Sequence, residues 1–228
     1  MFKYETHMHT SECSLCASST PEEMVRKYKA ENYDGVFVTD HFFNGNCFVP
    51  QDLPWTERVE RYCLAYEKAK AEGNKIGLDV FFGIEYGNGA ADFLTYGVDK
   101  QWLLENEKIM RMDIPDYIEY VKSCSGMVIH AHPFREAWYI DRLRLFPFQI
   151  DGIEAVNASH GDKRFNERAM LYAQMYDLPV TAGSDAHSTT DKWYGGGIVT
   201  EEKITCPQDY IRIVKERKIA ALLDREDR

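Results

Sequence analysis

The amino-acid sequence predicts an α/β fold, and it favours a barrel of about seven strand–helix units over an open sheet. Short apolar runs, rich in β-branched and aromatic residues, alternate with helix-like segments along the chain. Such alternation is typical of parallel strands joined by right-handed crossovers. Histidines and acidic residues follow the ends of these runs, and barrels of this kind carry their active sites at the C-terminal ends of the strands.

In the first part of the chain, strands are predicted at residues 2–9, 35–39, 79–84 and 92–98, and helices at 21–32 and 55–71. The first helix begins with Thr20-Pro21-Glu22-Glu23, which has the pattern of a capping box with proline at the first helical position. Met24 and Tyr28 lie four residues apart and give this helix an inward apolar stripe.

The alternation continues in the second part, with strands at residues 127–129, 152–157 and 179–183 and helices at 114–124, 166–176 and 207–217. Three consecutive glycines, Gly195 to Gly197, precede a short apolar run. The residues after the last helix are charged, and we expect them to be frayed. We expect one domain over residues 1–228, which is enough chain for a sizeable core.

Composition and charge exclude some classes of partner. The formal net charge of −10 argues against broad binding of nucleic acids or acidic membranes. An anionic substrate remains compatible, because bound cations reverse the local field. No signal core or membrane-spanning run occurs, and the six cysteines therefore predict reduced thiols in the cytoplasm. Cys13 and Cys16 have C-x-x-C spacing but no second pair to complete a zinc knuckle.

The histidines are concentrated, because six of the seven lie in four short places. His7 and His9 are two residues apart in a predicted strand, so both imidazoles share one face. The other places are Asp40-His41, His130-Ala131-His132 and Asp185-Ala186-His187. Imidazole and carboxylate are the usual ligands of zinc, manganese and iron, so this clustering predicts a metal centre.

Five motifs follow one another in a fixed order: His7-Met8-His9, Asp40-His41, Gly83-Ile84-Glu85, His130-Ala131-His132-Pro133 and Ser184-Asp185-Ala186-His187. This succession resembles the PHP family, whose name comes from polymerase and histidinol phosphatase. The resemblance covers nearly the whole chain. It implies a distorted (β/α)7 barrel of PHP type that holds two or three divalent metal ions, and many proteins of this kind cleave phosphate esters.

The resemblance also implies three neighbouring metal sites. The first ion would take His7, His9 and Asp185, with Glu85 bridging to a second ion. The second ion would also take His132, and Asp92 stands where many relatives have a further histidine. The third ion would take His41 and His187, and Cys16 stands where relatives similar to histidinol phosphatase supply an imidazole. A thiolate at this place would favour zinc or iron over manganese.

Further residues have predicted roles around these ligands. Asp40 and His130 are candidates for orienting the ligating imidazoles, and His130 could also be a direct ligand. Arg135 has the planar fork that grips a phosphate, although an exposed arginine without a role is the alternative. His160 could contact the substrate or act as a general acid, or it could be a loop histidine without a metal role. Glu85, Asp185 and Arg135 are therefore the candidate catalytic residues.

The function that the sequence favours is hydrolysis of a phosphate ester of a small metabolite or nucleotide. Metal-held hydroxide would attack phosphorus, because metals lower the pKa of bound water to about 7 and a pair of ions clamps the attacking and leaving oxygens. Two alternatives are a metal-dependent amidohydrolase or deaminase, which often has a carboxylated lysine where this chain has Glu85, and a non-catalytic metal-binding module. The substrate, the choice between monoester and diester, the metal identity and the oligomeric state stay open.

Overall fold

Nine strands form one sheet in this computed structural model, which describes residues 1–89, 91–191 and 195–225. The strands are β1 (Phe2–Met8), β2 (Gly35–Val38), β3 (Asp79–Gly87), β4 (Asp92–Tyr96), β5 (Met127–Ala131), β6 (Gly152–Asn157), β7 (Val180–Gly183), β8 (Gly197–Thr200) and β9 (Ile219–Leu223). The helices are α1 (Pro21–Ala30), α2 (Trp55–Ile76), α3 (Lys100–Glu105), α4 (Ile114–Ser123), α5 (Arg164–Tyr176) and α6 (Pro207–Lys215), and a 3-10 helix covers Glu107–Arg111.

The sheet curls into a nearly closed barrel in which the segment after β7 meets the carboxyl end of β1. Its order is β7-β6-β5-β4-β3-β2-β1-β8-β9. Beyond β7, the Asp185 amide donates to the His7 carbonyl at 2.8 Å, and the His9 amide donates to the Ala186 carbonyl at 2.9 Å. These bonds join the segment after β7 to the end of β1. The barrel-like α/β fold that the sequence predicted is therefore confirmed.

The expectation that every barrel strand runs parallel is wrong for β4. This strand pairs antiparallel with both β3 and β5. Asp92 therefore lies at the beginning of its strand and not at a C-terminal end. Its register partners are Gly87 on β3 and Ala131 on β5, so the reversal places Asp92 at the edge of the sheet where the other candidate ligands lie.

Most predicted helices lie within a few residues of the observed ones. The capping box is formed, because the Glu23 amide donates to the Thr20 hydroxyl and the Thr20 amide donates to the Glu23 carboxylate. Helix α3 and the 3-10 helix were not predicted. The expectation of frayed residues after the last helix is wrong for Ile219–Leu223, because these apolar residues form β9, which pairs antiparallel with β8. Residues 226–228 lie outside the described part of the chain.

Strand register places a polar centre above an apolar layer inside the barrel. Leu94 is the register partner of both Glu85 and Ile129, so these three side chains share one face of the sheet. The same cluster of buried apolar residues includes Leu94, Ile129, Phe37 and Phe81. In the described part of the chain, every helix is too short or too polar to cross a bilayer.

Candidate metal centre

The Glu85 carboxylate is the centre of the candidate site. It is fully buried near the end of β3. Its Oε1 lies 3.3 Å from Nε2 of His7 and 3.2 Å from Nε2 of His132. Its Oε2 lies 3.5 Å from Nε2 of His9 and 2.5 Å from Nδ1 of His41. One carboxylate from the third strand therefore faces imidazoles from three other parts of the chain.

Three groups of donor atoms have spacings that suit a metal ion, with all atoms of a group within 4.8 Å of one another. They are His7, His9 and Asp185; His7, Glu85 and His132; and His9, His41 and His187. The structure thus brings together the whole first set that the resemblance implied, and of the other two sets it groups Glu85 with His132 and His41 with His187. His7 and His9 each belong to two of these groups, which the sequence reasoning did not predict.

Asp92 and Cys16 lie beside these groups without belonging to them. Burial and the nearby Glu85 carboxylate raise the pKa of Asp92 above its usual range. Burial alone would raise the pKa of Cys16, but hydrogen bonds with His187 and His41 outweigh it and lower this pKa to about 6. Both side chains line the same cavity as His41 and His187.

A second buried carboxylate, Glu154 on β6, holds two of the candidate ligands in place and was missed at the sequence level. Its Oε1 lies 2.8 Å from Nδ1 of His7, and its Oε2 accepts a hydrogen bond from the His132 amide at 3.0 Å. A signal for it was present, because Gly152-Ile153-Glu154 repeats the tripeptide that contains Glu85. Such carboxylate–histidine contacts fix the orientation of metal-ligating imidazoles.

Asp40 reaches the cluster through Ser14, which the sequence reasoning also missed. The Ser14 hydroxyl donates to Oδ1 of Asp40 at 2.7 Å and lies 3.0 Å from Nδ1 of His9. The Thr10 amide and hydroxyl both donate to the same carboxylate. The geometry is compatible with the predicted orienting role of Asp40, exerted on His9 through one serine.

Arg135 lies beside the candidate ligands and is not a free surface arginine. One guanidinium nitrogen donates to the Ser159 hydroxyl at 3.0 Å and to the Asn157 side-chain oxygen at 3.4 Å, and it also pairs with Asp185. Asn157 in turn donates to Glu154 at 2.9 Å. The guanidinium is therefore fixed next to the donor groups.

The two remaining histidines differ in their surroundings. His130 is buried and stacks on Phe93 with ring centroids 4.9 Å apart, and burial together with nearby His132 lowers its pKa to about 3. Nδ1 of His160 lies 2.7 Å from Oδ1 of Asn166. Neither Nδ1 of His130 nor Nε2 of His160 has a hydrogen-bond partner among the described residues. Neither histidine belongs to the three donor groups.

The charges within the cluster depend strongly on one another. Burial alone would lower the pKa of His7, but the carboxylates of Glu154, Asp185 and Glu85 hold it well above its usual value. Burial alone would raise the pKa of Glu85, but His41 and His7 hold it well below its usual range. The cluster therefore concentrates negative charge that positive groups must balance.

The donor set fits divalent cations. Both oxygens of the fully buried Glu85 carboxylate lie among imidazole nitrogens, with Oε2 2.5 Å from Nδ1 of His41 and Oε1 3.2 Å from Nε2 of His132. Nε2 of His7 and Nε2 of His9 converge to 3.1 Å. Nitrogen and oxygen donors that point at one another in this way suit zinc, manganese or iron. We infer from this fit that the cluster is built to hold cations.

Two of the candidate ligands have unusual backbone conformations. His132 has φ of 29° and Asp185 has φ of 54°, which for side chains other than glycine is an uncommon region. Such conformations cost about 1–3 kcal/mol each and occur most often where a side chain must be aimed at a functional site. His132 directly follows β5, and Asp185 lies two residues after the end of β7.

A cavity of about 610 Å³ opens beside the cluster. Candidate ligands and Arg135 form part of its wall, and a loop that contains Trp138, Tyr139 and Leu143 forms another part. This volume lies in the range of about 300–1,000 Å³ that is typical of small-molecule sites.

Comparison with known families assigns the class of protein that this fold and site define. The PHP domain profile matches residues 5–173, and a PHP-associated profile matches residues 163–191. The chain therefore belongs to the PHP domain family. None of the curated proteins compared with it matches this chain.

Solved structures show the same fold at low sequence identity. A two-domain protein from Bacteroides vulgatus, containing a predicted PHP-like metal-dependent phosphoesterase, is 15% identical with a TM-score of 0.71, and the match covers 96% of this chain and 63% of that one. This chain thus spans less than two thirds of that relative. A candidate metal-dependent phosphoesterase from Bifidobacterium adolescentis is 17% identical with a TM-score of 0.58, covering 95% and 96%.

A third similar structure is an amidohydrolase from Chromobacterium violaceum with bound sulfate and no metal. It is 16% identical with a TM-score of 0.57, and the match covers 82% of this chain and 88% of that one. At these identities the three structures support the fold.

Proposed function

We propose that this protein is a metal-dependent phosphoesterase that hydrolyses a phosphate ester of a small metabolite or nucleotide. The observation that carries the proposal is the position of Glu85, whose two oxygens face imidazoles of separate donor groups in the wall of a ligand-sized cavity. A carboxylate placed in this way can bridge two cations. Membership of the PHP domain family supports the same reading.

In this proposal the donor groups hold two or three divalent ions. His7, His9 and Asp185 would hold the first, Glu85 and His132 would hold the second, and the remaining candidates would hold the third: His41, His187 and Cys16. Asp92 completes the second set. Bound ions would supply an acidified water and positive charge for the phosphate oxygens. Glu154 and Asp40 keep the imidazoles aimed, as buried carboxylates do around metal sites.

In this proposal Arg135 supplies a further positive charge for the phosphate oxygens. Its guanidinium is held by Ser159 and Asn157 at the edge of the cavity, so it does not need to be ordered when the substrate arrives. A guanidinium can donate two parallel hydrogen bonds to a phosphate. We assign to Arg135 the binding of the phosphate oxygens that the ions leave free, with stronger contact as negative charge develops.

The test uses purified protein reconstituted separately with zinc, manganese and iron and assayed on panels of phosphate monoesters and diesters. We expect phosphate or alcohol release that depends on metal and falls by at least about 100-fold in Glu85→Gln and Arg135→Ala. Glu72→Gln is the matched control, because Glu72 lies on α2 and pairs with Arg26 and Lys75. Reconstituted protein that is inactive on both panels would contradict the proposal.

The amidohydrolase alternative is tested with the same preparations. The similar fold of the Chromobacterium violaceum protein is the observation that keeps it in view. Among the described residues no lysine lines the cavity, and Glu85 stands at the position that a carboxylated lysine would take. Ammonia release from amides or aminated bases, without phosphate release from any ester, would reverse the ranking of the two functions.

A further inference from the structure

The side chain of Asn157, the last residue of β6, lies between the metal cluster and Arg135. It is fully buried. Its side-chain nitrogen donates to Oε2 of Glu154 at 2.9 Å, and its side-chain oxygen accepts from Nη2 of Arg135 at 3.4 Å and from the Ser159 hydroxyl at 2.6 Å. One side chain therefore contacts both the carboxylate that orients the candidate ligands and the guanidinium assigned to the phosphate.

Ser159 forms a second link between Asn157 and Arg135. Its hydroxyl accepts from Nη2 of Arg135 at 3.0 Å, and its backbone amide donates to the Asn157 side-chain oxygen at 3.1 Å. The same guanidinium nitrogen also pairs with Oδ2 of Asp185. Nη1 and Nε of Arg135 have no hydrogen-bond partner among the described residues. These contacts fix the guanidinium through one nitrogen and leave its other two nitrogens for an anion.

The carboxylate of Asp185 faces the same two sides. Its Oδ1 lies 3.2 Å from Nε2 of His9 and 3.4 Å from Nε2 of His7, within the first donor group. Its Oδ2 pairs with Arg135 and lies 3.5 Å from the Asn157 side-chain nitrogen. The oxygen that faces the imidazoles and the oxygen that faces the guanidinium are therefore different ones, and Asn157 lies on the guanidinium side.

Helix α5 holds the backbone of Asn157 in place. The Asn157 backbone amide donates to Oδ1 of Asn166 at 3.1 Å, and the Asn166 side-chain nitrogen donates to the Asn157 carbonyl at 3.2 Å. From this fixed position the side chain offers a donor to Glu154 and an acceptor to Arg135. An asparagine amide has both groups, whereas an ionised aspartate has acceptors alone and leucine has neither. The contacts on both sides therefore require the amide and not only its shape.

We propose that Asn157 is a positioning residue, which holds the phosphate-binding guanidinium of Arg135 at a fixed place relative to Glu154 and the metal cluster. Asn157 belongs to none of the donor groups and lies outside the cavity wall, so it acts through other residues. Through Arg135 it raises the affinity for an oxyanion, because a guanidinium that is already in place needs no ordering. Through Glu154 it raises the affinity for metal. The inference rests on the proposed function.

The experiment measures two affinities in the same set of proteins. Metal content after dialysis against graded chelator gives the affinity for metal. Calorimetry at saturating metal gives the affinity for methylphosphonate, which has a carbon–phosphorus bond and cannot be hydrolysed as an ester. Asn157→Leu keeps the approximate shape of the side chain and removes the amide. We expect it to weaken metal binding by about tenfold and methylphosphonate binding by about tenfold.

Two further variants separate the two effects. Ser159→Ala removes a hydroxyl that accepts from Arg135 and leaves the bond between Asn157 and Glu154, so methylphosphonate affinity should fall about three- to tenfold with metal affinity unchanged. Glu154→Gln should show the opposite pattern, with metal affinity reduced more than methylphosphonate affinity. Asn74→Leu is the matched control, because Asn74 is exposed on α2, and it should change neither affinity.

The outcomes separate this inference from the proposed function. Wild-type affinities in a folded Asn157→Leu protein would overturn the positioning role. If that variant does not fold, Ser159→Ala decides, because unchanged methylphosphonate affinity in it would overturn the inference and a selective loss would support it. If the wild-type protein binds metal and methylphosphonate but hydrolyses no ester, the proposed function fails, whereas the two affinities still decide the role of Asn157. Metal-loaded wild type that binds no methylphosphonate would overturn both.

Discussion

Glu154 shows how one buried side chain fixes several others in the candidate centre. Its two oxygens contact the His7 ring, the His132 amide and the Asn157 amide group, all at 2.8–3.0 Å. None of these contacts places Glu154 among the donor groups. Its effect on metal binding would therefore be exerted through the orientation and charge of His7.

We predict that Glu154→Gln lowers the affinity for the metal by about 10- to 100-fold, because an amide keeps the shape of the side chain but loses the charge that orients His7. Metal content after dialysis against graded chelator measures the change. The Glu72→Gln control should retain wild-type affinity. Equal metal affinity in Glu154→Gln and the wild type would show that the contact with His7 has no orienting role.

The sequence predicted the candidate metal ligands better than the residues that form hydrogen bonds with them. His7, His9 and Asp185 were predictable because strand alternation and strand ends determine where they point. Glu154 and Ser14 were not, because their partners, His7 and Asp40, are distant in the sequence and are brought together by the closed barrel. The repeated Gly-Ile-Glu tripeptide was the one local signal. It identifies Glu154 only once β6, the strand that carries Glu154, is known to lie near His7.

The low pKa of His160 in the folded protein predicts that this single residue lowers the free energy of unfolding in acid. Burial, with the nearby positive Arg135, lowers the pKa of His160 to about 4 in the folded protein, compared with about 6.5 when unfolded. The unfolded chain then binds more protons between these values, so stability is complete above pH 6.5 and is lost as pH falls towards 4.

We predict that His160→Gln removes about 1.5 kcal/mol of the stability loss between pH 6.5 and pH 5, because the slope reaches ~1.4 kcal/mol per pH unit only below pH 6.5. Urea unfolding of metal-free wild type and variant at both pH values measures the difference, and only the change with pH is compared. Parallel loss of stability in both proteins would mean that His160 is not kept neutral by the fold.

At the scale of an element, β7 approaches β1 and β6 so closely that Gly183 has no room for a side chain. A Cβ there would lie 2.4 Å from Cβ of His7 and 2.6 Å from Oε1 of Glu154. Gly161, in contrast, has nothing within 4 Å of an added Cβ and no positive φ. The glycine in β7 is therefore part of what positions the first histidine.

We predict that Gly183→Ala destabilises the fold by about 1–3 kcal/mol, the usual cost of overpacking, and weakens metal binding as His7 moves. Gly161→Ala should be close to neutral in both measurements. Thermal unfolding and metal content report the two effects separately. A Gly183→Ala protein with normal stability and metal content would contradict the close packing of β7 against His7.

The direction of β4 is the element-level feature that the sequence analysis missed. An apolar run predicts a strand but not whether it runs parallel or antiparallel to its neighbours. Asp92 stands at the start of this strand and Tyr96 at its end. Only the pairing of Asp92 with Gly87 and Ala131 shows that its side chain lies at the same edge as Glu85. The short connection from β3 to β4 was the available clue, because parallel strands need a longer crossover.

At the scale of the whole molecule, the candidate ligands come from strands all around the barrel. His7 belongs to β1, Glu85 to β3, and Asp185 follows β7, while His132 follows β5 and His41 follows β2. The barrel closes in the same place through the backbone bonds from Asp185 to His7 and from His9 to Ala186. Ions held by this set would cross-link segments that only the folded chain brings together.

We therefore predict that metal binding stabilises the whole barrel, since ions that bind the folded chain alone add about 2.7 kcal/mol at 100 times the dissociation constant. For a chain of this size, that free energy raises the melting temperature by roughly 5–10 °C. The melting temperature is measured in the presence of chelator and again after metal is restored. It is then measured over a range of metal concentrations. Glu85→Gln, which removes the central carboxylate charge, should show a much smaller shift. If complete removal of metal left the wild-type melting temperature unchanged, the ions would not link the strands of the barrel.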